Sequence, residues 1–128
     1  SLGRITLPTF MVGTETDHVA PWRSVHKLHY LSPAEITFVL TNGGHNAGIV
    51  NPPGNPRRHH RILTRPAGGN YVDPDDWLAL AELRPDSWWP SWLAWLEAHS
   101  GAPVAPPAMG SQAYPPLADA PGTYVLQK

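Results

Sequence analysis

The chain has 128 residues, a formal net charge of -1 with histidine neutral, and no cysteine. That length sets one domain as the ceiling, and the charge balance leaves no global field for nucleic acid or an anionic membrane surface. Disulfides, thiolate metal sites and a thiol nucleophile are excluded from this polypeptide, and no window approaches the roughly eighteen apolar residues that span a bilayer, so the sequence reads as soluble and cytoplasmic.

The first predicted element is a buried strand over Ile5 to Val12, ITLPTFMV, a short continuous run rich in branched and aromatic residues in which only Pro8 is awkward for a central ladder. A loop, GTETDHVAPW, follows it. Pro21 then suits the first turn of a helix over Ala20 to Leu31, which Ser32-Pro33 ends because the residue before proline avoids helical geometry. Glu35 to Thr41, EITFVLT, reads as a second buried strand that stops at Asn42-Gly43-Gly44. Strand, helix and strand make a βαβ unit, which implies a parallel sheet with neighbours on both faces and an α/β fold class.

Asn51 to Asn70 reads as a long loop bearing the basic patch Arg57, Arg58, His59, His60 and Arg61. Asp73 to Glu82 opens with DPDD, an acidic start with proline in the first turn that suits the positive end of a helix dipole. Ser87 to His99, SWWPSWLAWLEAH, spaces Trp88, Trp92, Trp95 and His99 by three and four, which predicts a helix with an aromatic face stopped by Gly101. From Gly101 onward nine of 28 residues are Pro or Gly. The division expected is therefore residues 1–100 as the folded part and residues 101–128 as an extended, Pro-rich tail.

The chemistry concentrates beyond the two strands. Asp17 lies five residues past Val12, and His45 lies four past Thr41 in TNGGHNAG. Parallel neighbours present the same ends to one edge of a sheet, and ligands bind outside their carboxyl ends. Asp17 and His45 are thus expected to meet, with Asp17 holding one ring proton and His45 acting as base through its other nitrogen. A nucleophile is the missing member. In α/β-hydrolases the chain order is nucleophile, acid, histidine, with the nucleophile on a G-x-S-x-G elbow. None of Ser24, Ser32, Ser87, Ser91, Ser100 or Ser111 has glycine two positions before it, so the nucleophile is expected upstream of Ser1.

The stretches GTETDHVAPWRSV, TFVLTNGGHNAGIVNPPG, DPDDWLA, SWWPSWLAWLEAHSG and APGTYVLQK together resemble the C-terminal region of class I-like polyhydroxyalkanoate synthases, which polymerise (R)-3-hydroxyacyl-CoA into polyester. The resemblance covers nearly the whole chain, and DH-x-x-PW followed by GGHN-x-G is its most specific part. It implies the C-terminal part of an α/β-hydrolase fold and a cysteine nucleophile in a G-x-C-x-G elbow outside this chain. Asp17 and His45 match the supporting acid and base. It implies further an acyltransferase without a cofactor, a homodimer acting at a cytoplasmic polyester granule on acyl-CoA and the growing chain, and a fragment that is inactive alone.

Two other readings stand beside it: a piece of a serine α/β-hydrolase such as an esterase or depolymerase, and a non-catalytic module that docks on a partner or granule. His18 reads as a loop-structuring residue. His26 and His29 share a helix face as metal ligands sometimes do, but no third ligand accompanies them and no metal site is assigned. Arg57 to Arg61 read as a solvated loop before they read as a phosphate site for CoA. Trp88, Trp92 and Trp95 read as core packing before they read as a polymer or granule contact.

Overall fold

A computed structural model describes all of residues 1–128. Its centre is a mixed four-stranded sheet in the order β1 (Thr9–Thr14), β2 (Ile36–Thr41), β3 (His59–Arg65) and β4 (Glu82–Pro85). β1 and β2 are parallel, Thr9 opposite Ile36 and Thr14 opposite Thr41. β3 runs antiparallel to β2, and β4 antiparallel to β3. The architecture is α/β, with only its first pair of strands parallel.

All six residues of β2 are buried, because both faces of that strand are covered. Its even-numbered side chains, Ile36, Phe38 and Leu40, form the core with Trp77 and Ala81, under Trp22, Val25 and Leu28. Those covering residues come from the segment with single-turn helices α1 (Trp22–Val25) and α2 (Leu28–Leu31), while Trp77 comes from α3 (Pro74–Leu80). The opposite face is met by α4 (Trp89–Ala98) and the residue before it: Phe10 of β1 stacks on Trp88 with centroids 6.3 Å apart, and His60 Nε2 lies 3.3 Å from Ser91 Oγ.

Four expected boundaries change. β1 begins at Thr9 rather than Ile5: Pro8 has no N–H for the ladder, and the first bond across from this segment is Thr9 N–H to Glu35 O at 2.9 Å. The helix expected over Ala20 to Leu31 is two turns, because after His26 N–H bonds Trp22 O the next donors, from Lys27 and His29, reach back only three residues. That tightening lets His26 and His29 stack in the interior, rings 4.4 Å apart.

The third correction is the largest: the basic stretch is not a loop but enters β3, and His60 is buried. Arg61 donates to Ala81 O, while Arg65 donates to the carbonyls of His29, Ser32 and Ala34, satisfying acceptors at and beyond the end of α2. Fourth, Glu82 belongs to β4, not to the preceding helix. α3 itself follows the expected capping logic, with the Asp73 carboxylate accepting from the N–H groups of Asp75 and Asp76. Beyond Gly101 there is no helix or strand apart from one 3-10 turn, Tyr124–Leu126. No helix is long and apolar enough to cross a membrane.

Candidate active site

The parallel pairing of β1 and β2 delivers the carboxyl ends of both strands to one edge of the sheet. Glu15 N–H continues the ladder onto Thr41 O, and Thr16 N–H onto Gly43 O, so the two outgoing loops leave side by side. Asp17 and His45, on those loops, meet: His45 Nδ1 lies 2.9 Å from Asp17 Oδ2.

Asp17 performs two tasks with its two oxygens. Oδ1 accepts the N–H groups of Val19 and Ala20, each at 2.8 Å, and so fixes the turn leading into Pro21. Oδ2 faces His45. The Ala20 N–H, then His45 and the Val19 N–H, hold the Asp17 carboxyl down at about 2. An ionised carboxylate only accepts, so the proton between the pair sits on His45 Nδ1. In the neutral ring Nε2 then carries no proton and is the acceptor. The Asp17 side chain is 8% exposed and that of His45 49%, so the acid is shielded while the imidazole opens to the surface.

The His45 loop is built around two glycines that other side chains could not replace. Gly43 has φ 111°, a left-handed conformation that favours glycine, and a Cβ there would lie 2.7 Å from the Arg58 guanidinium. Gly48 presses its backbone onto the end of β1, where a Cβ would come within 2.4 Å of Thr14 Cγ2. Between them Gly48 N–H bonds Gly44 O and Val50 N–H bonds Asn46 O, making a compact turn that carries His45. Asn42 anchors the incoming side, donating to Arg57 O and accepting from His59 N–H, and Arg58 Nη1 donates to Asn42 O.

The remaining candidates of the sequence fall elsewhere. His18 is exposed beside Asp17. His26 and His29 lie in the core among Phe38, Tyr71 and Trp77, and no third potential metal ligand joins them. Arg58 and Arg61 direct donors to backbone carbonyls. Trp88 is buried, Trp92 is exposed, and Trp95 stacks on His99. The role of Asn42 and Arg58 as holders of the loop was not legible in the sequence, because they act only through a turn and a strand pairing distant in sequence; the one local signal was Asn42 directly before two glycines.

No family model matches the chain. Among curated proteins it is similar to poly(3-hydroxyalkanoate) polymerase 2 of Ectopseudomonas oleovorans, 42% identical over 99% of this chain and 22% of that protein. The poly(3-hydroxyalkanoate) polymerase subunit PhaC of Rhizobium etli is 38% identical over 100% of the chain and 20% of its own length. The subunit of the same name from Cupriavidus necator is 39% identical over 99% and 21%. The chain thus spans about a fifth of the length of the curated relatives it matches.

Proposed function

The chain belongs to the poly(3-hydroxyalkanoate) polymerase family as one stretch of such a protein, and from that premise we propose that it contributes the acid and base of the polymerase active site. The observation that carries this reading is the 2.9 Å contact of Asp17 with His45 Nδ1 at the carboxyl ends of adjacent parallel strands, with the imidazole half exposed. The sheet with both residues at one edge also fits the last parallel strands of an α/β-hydrolase fold, in which a nucleophile stands on a neighbouring strand.

Since no residue of this chain is a cysteine, the attacking thiol belongs to the longer polymerase. His45 Nε2 takes the thiol proton, and the thiolate attacks the thioester carbonyl of an (R)-3-hydroxyacyl-CoA. The C–S bond to CoA breaks, CoA leaves with the proton returned by the imidazolium, and an acyl-enzyme remains. A hydroxyl, from a second hydroxyacyl group or the growing chain, then gives its proton to Nε2 and attacks the acyl-enzyme. The new ester forms as the enzyme thiolate leaves. Asp17 stays ionised throughout and stabilises the transient imidazolium.

The homodimer and the location at a cytoplasmic polyester granule belong to the same proposal. What favours the granule is an apolar groove of about 340 Å³ on α4, lined by Trp89, Trp92, Leu93, Leu96 and Pro53, which suits an ester-rich chain. The deciding experiment is His45→Ala in the full-length polymerase, followed by CoA release. Release is expected to fall roughly 10²–10⁴-fold, the range of a lost general base; wild-type release would remove His45 from the mechanism.

A further inference from the structure

The sequence treats Ser87, Trp88 and Trp89 as the start of an aromatic helix, yet the structure uses them differently. Three consecutive side chains donate to three carbonyls of the His45 loop: Ser87 Oγ to Asn51 O, Trp88 Nε1 to Gly48 O at 3.1 Å, and Trp89 Nε1 to Ile49 O at 3.1 Å. The residue before them joins in. The Asp86 carboxylate accepts from Gly54 N–H at 3.0 and 2.9 Å and from Asn55 N–H. Asp86 holds φ at 67°, a left-handed conformation that aspartate tolerates better than most side chains.

Two of these bonds, from Trp88 and Trp89, fall on the turn carrying His45, and the others hold the chain just after it. Gly48 O, gripped by Trp88, belongs to the residue whose N–H bonds Gly44 O beside His45. That same residue presses on Thr14, the last residue of the strand leading to Asp17. Trp88 is only 7% exposed and stacks on Phe10. A neutral N–H···O bond in so dry a place has no solvent competitor, and losing it strands a carbonyl. The turn is thereby wedged between Thr14 and the Trp88 indole, which fixes how far the base stands from its acid.

We propose that Ser87, Trp88 and Trp89 are positioning residues for acyl transfer, with the Trp88 indole N–H setting the Asp17–His45 geometry. The proposal rests on His45 being the base. Trp88→Phe keeps an aromatic ring against Phe10 and removes the donor, and it is to be compared with wild type in two backgrounds of the full-length polymerase, native and His45→Ala. In the native background kcat for CoA release is expected to fall roughly 10- to 100-fold with KM within about twofold, as for a small misplacement of a reacting group. In the His45→Ala background the substitution is expected to change the residual rate by less than about twofold, because residues acting as a unit are not additive.

A purely structural tryptophan predicts equal loss in both backgrounds, and that result overturns the proposal, as does unchanged kcat in the native one. Wild-type release by His45→Ala alone would overturn the base assignment and this inference with it. If His45→Ala is impaired and Trp88→Phe is not, only this inference fails. Should Trp88→Phe not fold, Trp89→Phe, with its ring nearer the surface, is put through the same comparison and decides by the same criteria.

Discussion

Asp17 carries the most closely specified chemistry in the chain because its two oxygens are not interchangeable. An asparagine in its place can still accept the Val19 and Ala20 N–H groups through its own oxygen. Its amide nitrogen, a donor, then faces His45 where Oδ2 stood, and Nδ1 must accept rather than donate. The ring proton moves to Nε2, and the nitrogen proposed as the base is blocked. Asp17→Asn is therefore expected to leave the melting temperature of the polymerase within a few degrees of wild type while CoA release falls roughly 10²–10⁴-fold; a variant with near-wild-type release would separate Asp17 from the chemistry. The pairing of Asp17 with His45 was legible in the sequence, since both follow apolar, strand-like runs at nearly equal distances. The double duty of Asp17 was not, because loop capping and histidine orientation draw on the same residue type and only the turn at Ala20 shows that one side chain does both.

The elements divide by what specified them. β2 and α3 are legible because their signals are local: an uninterrupted apolar run for a strand buried on both faces, and an Asp-Pro-Asp-Asp cap for a helix start. β3 and β4 are not, since β3 opens with charged and imidazole side chains and every residue of β4 is exposed, and both exist by pairing with a strand already placed. α1 and α2 show a third case, in which burial overrides periodicity. Breaking the helix places His26 and His29 face to face, and both ring nitrogens of His26 and Nε2 of His29 are buried without partners. Burial, then the neighbouring His26 and Arg65, push His29 down from its ordinary 6.5 to about 4, and burial lowers His26 as well. The unfolded segment therefore binds more protons than the folded one as pH falls below 6.5, so stability is lost over the window from about 6.5 to about 4. The carboxylates with shifted values, Asp17, Asp75, Glu82 and Asp86, all lie below their ordinary 3.8 or 4.5, so their losses begin only at the acid end of that window. Amide exchange over Leu28–Leu31 in the full-length polymerase, corrected for intrinsic rate, is expected to lose protection steadily from pH 6.5 to 4.5; constant protection across that range would contradict a buried, neutral pair.

At the scale of the whole chain, the number that matters is how little is enclosed: 20 of 128 residues are buried, and only eight of those are hydrophobic. β1 pairs with β2 alone, leaving its other edge without a ladder partner, and four of its six residues are only partly buried although they include Phe10, Met11 and Val12. On the opposite side of the sheet order, β4 is an exposed edge. Ile5, Leu7 and Val19 near β1 face outward. An edge strand with half-covered apolar side chains is a template for pairing with another chain, and contiguous apolar surface of this kind marks an interface or an aggregation site. Relatives that are about five times longer have sequence to supply such a cover. The chain expressed by itself is accordingly expected to bind ANS strongly and to elute from size exclusion as a concentration-dependent assembly, whereas the full-length polymerase should bind far less ANS per unit mass. Thermal unfolding of the isolated chain should be broad, because a sheet with two unprotected edges and a small core lacks the burial that makes unfolding all-or-none. A monomer with one sharp, cooperative melt and no ANS binding would mean that these surfaces are covered within the 128 residues, and that the chain folds as an independent unit.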